Sequence, residues 1–159
     1  MQFFHTKHVT PARLQDGPNC RRMIDSDVAD VAEIDENTFE MPLSAKAIVH
    51  LWGEPNTYAY VSTTQRVVAA YAIITHYDDF IEIRRMATDP GFRGDGHGCC
   101  LIAQLQERVR SMPPMHCLAA FVDLGDLDSL EFFKRRGFRA TTCVDWEGHD
   151  LVAMEWHTN

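Results

Sequence analysis

The sequence predicts a single α/β domain with a mixed, mostly antiparallel central sheet flanked by helices. Three observations predict it. Short runs rich in Val, Ile, Tyr and Thr alternate with stretches whose apolar residues recur at a spacing close to 3.6. Between residues 80 and 122 a β-rich run leads through a Gly-rich turn and a helix to a second β-rich run, a crossover that requires parallel pairing. On either side, neighbouring β-rich runs are joined by so few residues that antiparallel hairpins are the natural connection. There is no repeat, low-complexity tract or linker, and 159 residues suffice for one core.

Each element has a local reason. Residues 1–19 carry Pro11 and Pro18 and no clear period, and are expected to form an extension that packs loosely or adds an edge; the domain proper is 20–159. Residues 20–24 (CRRMI) read as a short strand. Asp25 or Ser26 can cap a helix through Val28, Val31, Ala32, Ile34 and Asp35, which Met41-Pro42 breaks. Ser44 can cap a second helix to Trp52, ended by Gly53 and Pro55. Strands follow at 57–62 and 66–76, joined by 63–65, and after the Asp78-Asp79 turn a further strand occupies 80–88. Leu101, Ile102, Leu105 and Val109 mark a helix that stops before Pro113-Pro114. Residues 117–122 form a buried strand. Residues 126–136 form a helix with acids at its start, Lys134, Arg135 and Arg136 in its last turn and Gly137 just past its end. Strands at 138–144 and 151–156, joined by 145–150, close the chain.

Composition excludes several classes. A net charge of −8 argues against broad nucleic-acid binding, which wants a basic surface, and suits a cationic acceptor. No apolar run approaches the ~18 residues of a membrane span, and the N-terminus has no apolar signal region, so the expected compartment is cytoplasmic. Cysteines stand at 20, 99, 100, 117 and 143, an odd number in a chain too large to need staples, so no disulfide framework is expected. His97, Cys99 and Cys100 do not make a zinc set, because adjacent cysteines share one tetrahedral ion poorly; no metal is expected.

The chemistry points to residues 88–98, TDPGFRGDGHG. Glycines allow positive φ and close backbone approach, while successive N–H groups with a helix start behind them make an anion site. Arg93 adds a planar cation suited to phosphate. A P-loop would need Gly-Lys-Ser/Thr, and none follows. Gly94, Gly96 and Gly98 have the wrong spacing for a dinucleotide fingerprint. A third pattern, Arg/Gln-x-x-Gly-x-Gly/Ala, is met by Arg93, Gly96 and Gly98. The plain alternative is a flexible turn carrying an aspartate.

The segment EIRRMATDPGFRGDGHGCCLIAQLQ, followed later by SLEFFKRRGF, resembles the GNAT acetyltransferase superfamily. Within it the chain is most similar to RimI-like ribosomal-protein alanine acetyltransferases, over residues 21–157 and including DVADVAEIDENTFEMPLS. The resemblance implies the GNAT fold with its βαβ acetyl-CoA-binding core. It implies an acetyl-CoA-dependent N-acetyltransferase moving acetyl to a primary amine, on a small molecule or a peptide N-terminus, by direct attack in a ternary complex. The alternative it leaves is a non-catalytic CoA-binding regulatory module. The implied partners are acetyl-CoA and an amine acceptor, with neither nucleic acid nor membrane, and a homodimer if the chain assembles. By position, Met86, Ala87 and Thr88 would meet the pantetheine arm through strand amides. The amides of Arg93, Gly94, Asp95, Gly96, His97, Gly98 and Cys99 would hold the pyrophosphate, with Asp126 and Phe133 beside the CoA arm. Asp95 must then point to solvent or cap the helix.

Acyl transfer to an amine needs a neutral nucleophile and an outlet for the thiolate. Glu82 is the candidate base, at the spacing from Arg93 seen in GNAT enzymes with a glutamate on the preceding strand. Simple alternation would put Phe80, Glu82, Arg84, Met86 and Thr88 on one face. The competing reading pairs Glu82 with Arg84 or Arg66. The chain departs from the RimI-like pattern at Phe121, where that group has its base, and at Phe133, where it has a tyrosine acid; neither phenylalanine moves a proton. Tyr71, His76 and Tyr77 are substitutes, each with a structural role as its competing reading. The acceptor is expected between the first two helices and the last hairpin, lined by Phe39, Glu40 and Met41 on one side and Glu147, His149 and Asp150 on the other. The competing reading is a solvated loop.

Overall fold

The computed structural model describes residues 17–159. The expected extension therefore lies, for residues 1–16, outside the described residues, while Asn19 already belongs to the first strand. In chain order come β1 (Asn19–Arg22), α1 (Val28–Thr38), α2 (Ala45–Trp52), β2 (Thr57–Thr64), β3 (Val67–His76), β4 (Phe80–Thr88), α3 (His97–Ser111), β5 (Cys117–Asp123), α4 (Leu127–Arg135), β6 (Arg139–Trp146) and β7 (His149–His157). The seven strands form one sheet in the order β1-β2-β3-β4-β5-β7-β6. Every pair is antiparallel except β4 and β5, which α3 connects. Among the described residues, no helix is long and apolar enough to cross a membrane.

Local chemistry explains where the elements begin and end. A 3-10 turn, Asp25–Asp27, precedes α1, and neither expected cap acts. Asp27 holds the turn instead, accepting from the Ile24 amide at 2.9 Å and from both Arg21 amino groups at 2.7 and 2.9 Å. Ser44 does cap α2, accepting from Ala47 N at 3.1 Å. Both outer hairpins are tighter than the sequence suggested. Gln65 and Arg66 (φ 49° and 63°) join β2 to β3, and Glu147 and Gly148 (φ 50° and 81°) join β6 to β7. Two consecutive positive φ values make the type I′ turn that suits strand twist. The last strands thus extend through Asp145 and Asp150 instead of leaving 145–150 as a loop.

Two cores flank the sheet. Leu101, Ile102, Leu105 and Val109 of α3, with Leu130 and Phe133 of α4, pack on Ala70, Ala72, Ile74, Ile81, Ile83 and Leu118. Val31 and Ile34 of α1 and Ile48 of α2 pack on Val61, Tyr71, Ile73 and Ala87 on the opposite face. The alternation along β3 divides its side chains between these layers.

Two irregularities in β4 set the geometry at its end. Ile74 pairs with Ile83 but Ile73 pairs with Arg85, so Arg84 is an extra residue and the strand carries a bulge. The bulge overturns the expected alternation. Ile81, Ile83 and Met86 all pack on the α3 side, whereas Ala87 lies in the α1–α2 core and Arg85 bonds α1. Glu82, lying between Ile81 and Ile83, therefore faces α1 and α2, opposite to Met86. Secondly, β4 and β5 pair only from Phe80↔Cys117 to Ile83↔Ala120. From Arg84 and Phe121 onward the parallel strands part, and the gap leads to the Gly-rich turn.

Candidate active site

The turn after β4 is tied down at its start. Asp89 N donates to Ala69 O at 2.8 Å, and the Asp89 carboxylate accepts from Gly91 N at 2.8 Å. A 3-10 turn, Pro90–Phe92, follows, and Gly94 and Gly96 take positive φ of 83° and 90°. Gly96 is the N-cap of α3, without a side-chain cap. The first amides of the helix, at His97, Gly98 and Cys99, therefore have no intrahelical acceptor and sit at the positive end of the helix dipole. Arg93, Gly94 and Asp95 are exposed, and Asp95 does not cap the helix. Its carboxylate is directed to solvent, one of the two placements an anion site tolerates. Polyanion binding suits this geometry.

Three residues at the turn have side-chain duties of their own. His97 turns inward, where Nδ1 stands 2.7 Å from Ser62 Oγ, and burial holds its pKa below the ordinary value against the opposing pull of Asp95. Only its amide serves the turn. A Cβ on Gly98 would stand 2.9 Å from the Phe132 ring and 3.7 Å from Met86 Cε. Gly98 thus lets α4 close on α3. Cys99 is exposed and contacted by the Arg136 guanidinium, which also stacks on Phe132 at 3.7 Å. Sequence reasoning gave Arg136 only a helix-end role; tertiary packing makes it a second cation at the first turn of α3.

The remaining cofactor candidates divide. Met86 packs beneath the turn and Thr88 ends the strand, while the Ala87 side chain is buried in the α1–α2 core and leaves only its backbone. Asp126 caps α4, accepting from Ser129 N at 3.1 Å and Ser129 Oγ at 2.6 Å. Phe133 is 7% exposed, wedged between Phe132 and Phe138 at ring separations of 5.3 and 5.0 Å. Phe121, the first residue of β5 past the parting, is 47% exposed.

Glu82 sits one residue before the strands part, level with Thr75 on β3 and Ala119 on β5. Neither arginine pairs with it: Arg84 bonds Glu54 and Thr75, at 3.1 and 3.2 Å, and Arg66 lies in the β2–β3 turn. Its partner is Tyr77, whose hydroxyl donates to Oε2 at 3.1 Å and whose ring stacks on Phe80 at 4.6 Å. Burial, then the Glu82 charge, raises the Tyr77 pKa. His76 accepts from Arg108 Nε at 3.0 Å and packs on Tyr58; burial, then Arg108 and Arg22, lowers its pKa.

The loop after α1, expected to line the acceptor, is held by a cluster the sequence reading did not assemble. Asp35, fully buried in α1, accepts from Arg85 Nε and Nη2 at 2.9 and 2.8 Å, from Leu43 N at 2.6 Å and from the Tyr71 hydroxyl. Burial pushes the Asp35 carboxyl up, but the Arg85, Tyr71 and Leu43 bonds outweigh it and hold the pKa below the usual range. Burial and Asp35 raise that of Tyr71, which is a structural hydroxyl. Arg85 also stacks on Phe39 at 3.7 Å and donates to Met41 O at 3.1 Å. Phe39 and Met41 are thereby fixed, with Glu40 between them exposed and the Met41 side chain 80% exposed. The available signal was a charge at an apolar position of the α1 period, which burial obliges to find a partner. His149 is exposed at the start of β7, its Nδ1 3.9 Å from Asp123 Oδ2, beside a shallow depression of about 410 Å³ lined by Asp123, Gly148 and Asp150. The loop and this turn lie at the same end of the sheet.

Solved structures share this architecture. Ard1 from Thermoplasma volcanium superposes with a TM-score of 0.80 at 19% identity, covering 90% of this chain and 99% of that one. The ribosomal-protein-S18-alanine N-acetyltransferase from Escherichia coli gives 0.74 at 19%, covering 88% and 93%. The protein yncA from Salmonella typhimurium, solved with its cofactor acetyl-CoA, gives 0.72 at 18%, covering 89% and 94%. No curated protein sequence matches significantly. The sequence matches the model of the acetyltransferase (GNAT) family over residues 28–138, from the start of α1 to the entry of β6. The match spans most of the chain, which belongs to the acetyltransferase (GNAT) family and is an acetyl-CoA-dependent N-acetyltransferase.

Proposed function

We propose that the chain acetylates a primary amine by direct attack on acetyl-CoA in a ternary complex, with Glu82 as the base. The observation that carries this reading is the parting of β4 from β5 after Ile83↔Ala120, with Glu82 one residue before it and the Gly-rich turn beyond it. Acetyl-CoA, as co-substrate, would lie along the open edge of β4, its diphosphate on the amides of residues 93–99 with Arg93 and Arg136 alongside. Glu82, on the α1–α2 face, would take a proton from the bound ammonium directly or through one water. The neutral amine then attacks the thioester carbon, the nitrogen gives its second proton to water, and the C–S bond breaks as the tetrahedral intermediate collapses to the amide. The CoA thiolate is a good leaving group and water can protonate it, so hydrocarbon at Phe133 is compatible with turnover.

The acceptor would enter between the Phe39–Met41 loop and the β6–β7 turn. Glu40, Asp123, Glu147 and Asp150 give that mouth a negative field suited to an ammonium. An alanine N-terminus, as the name of the Escherichia coli neighbour specifies for that protein, and a small cationic amine are the two acceptors to compare. We place the reaction in the cytoplasm, where the five free thiols would stay reduced unless an oxidant reaches them. If the chain self-associates as a homodimer, the exposed edge strand β6 offers one surface for it. The deciding experiment measures CoA thiol release with acetyl-CoA and a panel of N-terminal peptides and small amines. Turnover abolished in Glu82→Gln with acetyl-CoA binding retained supports the reading. Binding without thiol release from any acceptor would favour a regulatory CoA-binding module.

A further inference from the structure

The Cys20 and Cys100 sulfurs, from residues 80 positions apart in sequence, stand 2.7 Å apart. The surroundings hold them there. Cys20 lies on β1, in register with Ser62 of β2. Ser62 in turn holds the buried His97 ring at 2.7 Å, in the same first turn of α3 that precedes Cys100. The Cys100 sulfur also reaches Pro18 O at 3.7 Å. Strand register, a buried hydrogen bond and a helix start thus converge on one pair of sulfurs. Both thiols are free and partly accessible.

We propose that Cys20 and Cys100 are a modification site, closing to a reversible disulfide under peroxide and so tying edge strand β1 to the helix that carries the CoA turn. Burial, with Cys100 next to it, pushes the Cys20 pKa up to about 12, and attack by either sulfur leads to the same disulfide. With Cys100 first, its sulfur bonds to one peroxide oxygen, the O–O bond breaks, and a sulfenic acid and water result. The Cys20 sulfur then attacks the sulfenic sulfur. The S–S bond forms, the S–O bond breaks, and the hydroxide leaves with the Cys20 proton as a second water. Two thiols are oxidised and one peroxide is reduced to two waters; a dithiol reductant reverses the change. The bond would close a long loop and anchor the four-residue β1, restricting the unfolded chain and raising Tm.

The test uses the full chain, treated with hydrogen peroxide, alkylated and mapped by mass spectrometry, with free thiols counted before and after. Two of the five thiols should disappear, the crosslinked peptide should join Cys20 to Cys100, and the monomer's Tm should rise by about 5 °C or more and fall back with dithiothreitol. Cys99→Ser should form the same Cys20–Cys100 crosslink, while Cys100→Ser and Cys100→Ala, each checked for folding by circular dichroism, should form no crosslink to Cys20. A crosslink that persists in the Cys100 variants and so runs through Cys99, thiols that all survive, or only intermolecular dimers would overturn the proposal. None of these readouts depends on Glu82 or on acetyl transfer.

Discussion

Arg85 grips Asp35 with both arms, Nε to Oδ2 at 2.9 Å and Nη2 to Oδ1 at 2.8 Å, joining the bulged half of β4 to the buried face of α1. Asp35 is fully buried, so removing Arg85 leaves a carboxylate with no counter-charge. Arg85→Ala should lower stability by about 3–5 kcal/mol, the range for breaking one side of a buried pair. Urea denaturation at pH 7 measures it, and a loss below ~1 kcal/mol would contradict the role assigned to the pair.

The same pair gives a pH dependence. The folded state holds the Asp35 carboxyl below its ordinary value. Its contribution is therefore complete above the unfolded carboxylate range, near pH 4, and is lost as pH falls through the depressed folded value. Wild type should lose stability below about pH 4 more steeply than Arg85→Ala, in which the depression is largely gone. Parallel acid titrations of the two proteins followed by circular dichroism make the comparison.

Glu82→Gln removes the proposed base without emptying its place beside Tyr77. kcat should fall by about 100-fold or more while the acetyl-CoA Kd stays within a factor of two. Tyr77→Phe, which removes only the hydrogen bond to the Glu82 carboxylate, should change kcat far less. Equal losses in both variants would point to packing at this end of β4 instead of proton transfer.

Arg93→Ala and Arg136→Ala should each raise the acetyl-CoA Kd about tenfold, the weaker end of what a charge-assisted hydrogen bond contributes. The loss should shrink with added salt for exposed Arg93 more than for Arg136, which is sandwiched between Phe132 and Cys99. Calorimetric titration with CoA at two ionic strengths separates them.

Gly98→Ala tests the helix contact. Its methyl would stand 2.9 Å from the Phe132 ring, so α4 must retreat or the ring must turn. A loss of about 1–3 kcal/mol is expected, with weaker CoA binding through displacement of Arg136. Gly98→Ala combined with Phe132→Leu should recover part of the stability; no recovery would mean that the strain lies elsewhere.

Much of this molecule follows from short stretches read alone. The Ser44 cap, the spacing of Leu101, Leu105 and Val109, and the Arg93, Gly96, Gly98 pattern each act within a few residues, so the α/β order and the glycine-rich turn were readable before any contact was known. The final hairpin was misjudged because Glu147-Gly148 is a tight turn only when β6 and β7 are already paired. The bulge at Arg84 likewise exists only in relation to β3. It reverses which face Glu82 shares and moves the candidate base to the α1–α2 side, which alternation along one strand has no means to encode.

Sequence by itself determined the elements, the glycine-rich turn and the family, because helix periodicity, strand composition and backbone permissiveness are properties of neighbouring residues. Tertiary structure alone decided that Asp35, Tyr71 and Arg85 hold the loop at residues 39–43, that Arg136 covers the start of α3, and that Cys20 meets Cys100. Those contacts join residues 36 to 80 positions apart. Burial makes such partners necessary for a charge or hydroxyl, yet only the packing of α1, α3 and α4 on a twisted, bulged sheet selects which partners meet.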